Sequence, residues 1–437
     1  MGVKKAGEAD GERKPGKSGD HKRVLSIDLY RGFALVFMVL VHFGIFYGNE
    51  DAAHSFAIFF FDHVLADWGA AAFLMMMGMS QVLSAKRIGK PDNRLLFKRA
   101  VVRGAYIFVV GLLMLVLAWG PDQIWWWDIL TLMGFATVVL FFCRFLPSWS
   151  LIGLIGAIMV LTPYLRGAFN VAADWNFVEQ PIISQYLPGM YIEPEVAYHP
   201  AILKGLFLSG YFPVFPWIAF IIIGFVMGRR IVAQKMRRDL PILLLAGVVL
   251  SSLGFILGYA GRTQPPISAS IAWISPLCFY PDSFSLINIQ AGISIIVFTM
   301  VYFFFDIRKR DKTRLGIFSR LFIQTSNFSL TFYFLHYILL AWPLALLYLI
   351  TGKYMLGDLM GPVPALLCGV VAVAFLEILI FFWGKAGSRY SLEWFLARLT
   401  KRVAPGYKRS ISMPGTSSEK SALEIMSFTC DIEFSAN

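Results

Sequence analysis

RVLSIDLYRGFALVFMVLVHFGIFYGN, residues 23–49, is an apolar run long enough to cross a bilayer as one helix. Three ionisable side chains interrupt it: Asp28, Arg31 and His42. At about 100° per residue, Arg31 and His42 lie roughly 20° apart around the axis, and Asp28 about 60° to the other side of Arg31. The three form one polar stripe about 20 Å long on an otherwise apolar rod. Charge inside a bilayer is costly and normally faces the protein interior or a wet cavity. This helix is therefore expected to line a polar cavity.

The whole chain has the same character. Of its 437 residues, 57% are hydrophobic and 15% charged, against about 25% charged in soluble domains. The apolar surplus comes in blocks of bilayer-spanning length, which predicts an all-α polytopic membrane protein. The net charge of +12 sits in short loops between apolar blocks. That pattern speaks for membrane topology and against nucleic-acid binding. Cys143, Cys278, Cys368 and Cys430 are far apart, so neither a disulfide framework nor a zinc site is expected, and no metal is predicted. The first twenty residues are polar and no small-residue cleavage site follows the first apolar run, so no cleavable signal peptide is expected.

Ten spans are expected, at about 24–46, 65–85, 100–119, 128–146, 149–166, 206–228, 241–261, 284–306, 327–350 and 362–384. Alternate loops carry the basic residues: Lys86 to Arg99, then Arg144, then Arg229 to Arg238, then Arg308 to Arg320. The 47–63 loop has Glu50, Asp51 and Asp62 and neither Lys nor Arg. The positive-inside bias places both termini in the cytoplasm. Trp125, Trp126 and Trp127 are expected to form an interfacial belt at a span end. Residues 1–22 and 403–437 read as mostly disordered cytoplasmic tails flanking a 23–402 membrane domain. The segment at about 167–205 is too long for a connector and is expected to fold as a cap over the outer face.

Four constellations could carry chemistry. In the first, His42 has the residue type of a base near neutral pH, and Arg31 that of a group holding phosphates or an oxyanion. Asp28 is expected to pair with Arg31. The structural alternative is that this pair only fixes helix packing and His42 bonds a neighbouring backbone. The second is HSFAIFFFDHVLADWGAAAFLMMMGMS, where Asp67 follows His63 by one helical turn and could orient it, with His54 nearby. An ordinary interfacial pair is the plainer reading, and the Met75–Met77 run reads as core packing. The third surrounds His336, near mid-span, with Ser329 and Tyr333 earlier on a similar face. It reads either as a second wall of the same cavity or as a packed histidine. The fourth, YFPVFPWIAFIIIGFVMGRR, reads as structural: Pro213 and Pro216 shape the helix entry, and Gly224 and Gly228 allow close packing. There is no nucleotide-binding loop, dinucleotide fingerprint or serine-hydrolase elbow, so a donor must come from solution or lipid. On physics alone, a transporter or flippase suits ten spans with buried charge equally well.

SIDLYRGFALVFMVLVH resembles the opening of the transmembrane acyltransferases. That group includes heparan-α-glucosaminide N-acetyltransferase, its bacterial relatives, and the acyltransferase-3 proteins that modify surface polysaccharides. Arg31, ten residues and His42 look like the Arg-x10-His feature of acyltransferase-3 proteins. LADWGAAAFLMMMGMS, with Asp67, Phe73, Gly78 and Ser80, is similar to the second span of the heparan type. FPWIAFIIIGFVMGR, SLTFYFLHY and SLEWFLARLT look like bacterial members. The resemblance implies an acyl-CoA donor in the cytoplasm, acetyl-CoA or another acyl-CoA. It implies a carbohydrate acceptor beyond the bilayer, whose hydroxyl or amine receives the acyl group, a bacterial inner-membrane location, and room for a homodimer. The heparan type has Asn at the place of His42 and carries its important His in the first outer loop, beside a Trp-Asn-Gly that this chain lacks. The transferring histidine is thus open between His42, His54 and His63.

Overall fold

The computed structural model describes residues 23–49, 55–56, 68–87, 92–179, 192–196, 201–261, 277, 279, 282–308, 316–353 and 355–403. The tails expected at 1–22 and 403–437, apart from Val403, which closes the last helix, and His54, His63 and Asp67 lie outside the described residues. The chain is built of helices: α1 (Leu25–Tyr47), α2 (Gly69–Arg87), α3 (Asn93–Trp119), α4 (Ile129–Cys143), α5 (Ser148–Ala168), α6 (Val214–Val232), α7 (Met236–Gly261), α8 (Phe284–Tyr302), α9 (Ile317–Asn327), α10 (Ser329–Thr351), α11 (Pro362–Lys385) and α12 (Leu392–Val403). In hydrocarbon a backbone must bond to itself, and helices do this within one segment. Among the described residues, eight helices are long and apolar enough to cross a membrane: α1, α3, α5, α6, α7, α8, α10 and α11. This is an integral membrane protein. Helices α2 and α4 coincide with the other two expected spans, but α4 has only 15 residues.

The 167–205 segment begins with a 3-10 turn, Val171–Asp174, and adds an antiparallel pair, β1 (Trp175–Glu179) and β2 (Ile192–Val196). Its anchor is Trp175, whose indole N–H donates to the Ser209 carbonyl at 3.1 Å. Asp174 accepts from Ser209 Oγ at 2.5 Å and from Lys204 Nζ at 2.9 Å.

α1 is the hub, touching α2, α8, α9, α10 and α11. Its first turn is capped from afar: Leu25 N and Ser26 N both donate to the Asp306 carboxylate at 2.9 Å. A carboxylate there satisfies orphan amides and opposes the positive end of the helix dipole. The α2–α6 contact is set by glycines. A Cβ on Gly78 would stand 2.1 Å from the Ile221 carbonyl oxygen, and one on Gly224 would stand 2.0 Å from that of Met75. The backbones touch, so there is no side chain to give way. Gly224→Val is therefore expected to prevent accumulation of folded protein, since overpacking costs about 1–3 kcal/mol even where neighbours can shift. Gly153→Val, whose Cβ would meet nothing within 4 Å, is the control. Detergent-extracted yield and gel filtration read the difference.

The tryptophan triplet differs from expectation. Trp125 is 39% exposed, as a belt residue would be, but Trp126 and Trp127 are each 3% exposed. The chain dips inward here. Gly111 packs on Leu130 and Thr131, eight residues before α3 ends, so α4 starts about 12 Å below the end of α3. Trp126 and Trp127 line that descent, and their carbonyls accept from Tyr211 N at 2.9 Å and Phe212 N at 3.0 Å.

Candidate functional site

The dip of α4 carries Asp128 into the bundle. As the N-cap of α4, its carboxylate accepts from Leu130 N at 3.2 Å. The same carboxylate accepts from the Tyr333 hydroxyl, at 2.9 and 3.0 Å to its two oxygens. Both side chains are buried. Tyr333 and His336 sit three residues apart on α10, and the Tyr333 carbonyl bonds His336 Nδ1. His336 Nε2 then lies 3.0 Å from His42 Nδ1. His336 is fully buried, whereas His42 keeps partial access.

This order fixes the protons. A carbonyl only accepts, so His336 Nδ1 carries hydrogen. In the neutral ring, His336 Nε2 is then the acceptor, and His42 Nδ1 must donate to it. The lone pair of a neutral His42 is left on Nε2, the nitrogen facing away from His336. A partly accessible imidazole with its outer nitrogen unprotonated is the form a base or a nucleophile requires.

Arg31 lies eleven residues before His42, about 16 Å along α1 toward its Leu25 end. It bonds Ser80 Oγ on α2, and Ser80 Oγ donates to the Met76 carbonyl at 2.7 Å. The expected Asp28–Arg31 pair is not formed. Asp28 is ion-paired with Arg23 and accepts from Ser326 Oγ at 3.1 Å. Helical spacing put Asp28 and Arg31 near each other, but α9 and the Arg23 side chain offered closer partners. Asp28, Arg31 and His42 are each partly accessible and each bonded across to another helix or the flanking chain. The stripe thus faces protein and not lipid.

Ser329 is the first residue of α10, seven residues and about 10 Å from His336 along the axis. It stands apart from the imidazole pair. The start of α10 is held by Glu393 of α12, which accepts from Leu330 N at 2.7 Å, Thr331 N at 3.0 Å and Thr331 Oγ1 at 2.5 Å. Burial pushes the Glu393 carboxyl above its ordinary range, and those three donors oppose the rise. Capping fixes the register of the helix that carries Tyr333 and His336. Among the described residues, no group of three or more His, Cys, Asp or Glu is placed to hold a metal ion.

Asp128, Tyr337 and Trp119 were not singled out from sequence. Asp128 had a signal: a lone carboxylate opening an apolar run directly after three tryptophans. Tyr337 and Trp119 had none, being aromatic residues in aromatic-rich spans.

Eight helices of membrane-spanning length, with a partly accessible imidazole bonded to a buried one between them, define an integral membrane protein with a polar candidate site in its bundle. The family model described as heparan-alpha-glucosaminide N-acetyltransferase, catalytic, matches residues 23–258, just over half of the 437. The chain belongs to that family and is a membrane acetyltransferase. Arg31, His42, Ser80 and Asp128 lie inside the matched stretch; Tyr333 and His336 lie beyond it. No curated protein matches the chain by sequence.

Proposed function

We propose that this acetyltransferase takes an acetyl group from acetyl-CoA at the Leu25 end of the bundle and passes it to an amine or hydroxyl of a glycan at the Tyr47 end. The Leu25 end is cytoplasmic in this reading, all ten expected spans cross the membrane, and both termini lie inside the cell, in the inner membrane of a bacterium. The basic residues support that orientation: Arg94 and Lys98 open α3, Arg229 and Arg230 close α6, and Arg308 follows α8. Arg31 binds donor phosphate, with its fork held by Ser80. Asp28 acts at one remove by holding Arg23.

The observation that carries this reading is the 3.0 Å contact of His42 Nδ1 with His336 Nε2, which leaves the lone pair of a neutral His42 on its Nε2. That nitrogen takes the acceptor proton while the acceptor attacks the thioester carbonyl. The new C–N or C–O bond forms, the C–S bond breaks, and the proton returns to the departing thiolate. The same lone pair could instead attack the carbonyl and hold the acetyl group as acyl-imidazole before passing it on. His63, with Asp67, and His54 remain the alternative seat of this step in the heparan pattern.

The test uses protein purified from membranes and reconstituted in liposomes with acetyl-labelled acetyl-CoA. The expected result is thioester turnover, with label passing to an added amino sugar. Absence of both hydrolysis and transfer, together with sugar uptake that needs no acetyl-CoA, would replace the enzyme by a transporter.

A further inference from the structure

His42, partly accessible, packs among aromatic rings. Ring centroids are 5.9 Å apart for His42 and Phe46, 5.1 Å for Phe46 and Trp119, 6.0 Å for Trp119 and Tyr337, and 5.3 Å for Tyr337 and His42. The four rings close a circuit, and His336 lies against Tyr337 at 4.2 Å. Tyr337 is buried; His42, Phe46 and Trp119 are partly accessible. The accessible surface of the circuit is therefore a Phe46–Trp119 wall beside the reactive imidazole.

Tryptophan at a span end usually anchors a helix at the headgroups. Trp149, second residue of α5 and 76% exposed, fits that use. Trp119 does not, because it turns inward onto Tyr337, one ring from both histidines. The end of α3 is also fixed in place. Trp342 Nε1 donates to the Leu117 carbonyl at 3.0 Å, and Gly120 ends the helix at φ +98°. A rigid, partly accessible pair of rings next to a base suits a substrate with one flat apolar face and polar edges.

We propose that the Phe46–Trp119 wall is the acceptor subsite, taking the C–H face of a pyranose amino sugar and turning its amine toward His42 Nε2. The proposal rests on the acetyltransferase reading and adds the two side chains that hold the acceptor ring. Stacking buries the apolar face of the sugar and leaves its hydroxyls in water. The wall itself loses little conformational entropy because aromatic side chains have few rotatable bonds.

The experiment compares two amines as acceptors for the full chain in detergent with acetyl-CoA: methyl glucosaminide, which has the ring, and ethanolamine, which lacks it. Trp119→Ala is expected to raise KM for methyl glucosaminide about tenfold, while KM for ethanolamine and acetyl-CoA moves within about twofold. Trp119→Phe, which keeps a stacking face, restores most of the difference. An equal rise for both amines, or a fall in kcat with KM unchanged, overturns the subsite. Phe46→Ala supplies the same comparison should Trp119→Ala fail gel filtration. If the wild type turns over no acetyl-CoA, the enzyme reading fails separately. Calorimetric titration with methyl glucosaminide then decides the subsite: binding weakened about tenfold by Trp119→Ala supports it, and equal binding overturns it.

Discussion

His42→Ala is expected to lose acetyl transfer by about 10²- to 10⁴-fold, the usual contribution of a positioned base, while the protein still inserts and purifies. Alanine suits a helix interior, and α1 keeps its Asp306 cap and its glycine contact with α9, where a Cβ on Gly32 would meet the Phe322 backbone. The fold loses one hydrogen bond. The His336 Nε2 acceptor is left without its partner, which costs about 1–3 kcal/mol, too little to unfold a bundle of this size. His63→Ala measured in parallel separates the two family patterns. An active His42→Ala beside a dead His63→Ala would move the chemistry to the first loop and leave the imidazole pair as packing. If both variants are inactive, single-turnover mixing of the wild type with labelled acetyl-CoA reads whether His42 carries an acyl intermediate.

The sequence made the helices legible because hydrocarbon leaves a chain few choices. An apolar block must close its hydrogen bonds within itself, and each expected span overlaps a helix, although the one expected at 206–228 becomes a long helix only from Val214. It also marked Gly224 and Gly228 as contact points, and both lie against neighbouring backbone. Partners across the bundle were out of reach. His42 and His336 are 294 residues apart, and nothing in either local run says that the two rings meet. Local spacing misled at Asp28, where the helical wheel favoured Arg31 and tertiary contact supplied Arg23 and Ser326. Trp126 and Trp127 misled because a tryptophan run at a span end looks the same whether it faces headgroups or lines a descent into the protein. What separates the two is the depth at which α4 starts, a property of packing that its own residues do not encode.

The identity of residue 336 should matter through the proton it places on its neighbour. As found, His336 Nε2 accepts from His42 Nδ1 and so keeps the lone pair of His42 on the outer nitrogen. Leucine there cannot accept. His42 Nδ1–H would lose its partner and the ring could rotate or change tautomer, so His336→Leu is expected to lower kcat about 10²-fold, the scale seen when a group that orients a reacting histidine is removed. Glutamine places its amide oxygen close to where Nε2 stood and can accept the same hydrogen bond. His336→Gln should therefore recover most of that loss, within about tenfold of wild type. A residue that only filled space would give the reverse order, since leucine is the better apolar filler and glutamine brings an amide that must find partners in a buried site. Acceptor KM should stay near its wild-type value in both variants, because neither change touches the Phe46–Trp119 wall. Equal kcat for His336→Leu and wild type would remove the tautomer argument and, with it, the reason to assign the lone pair to His42 Nε2.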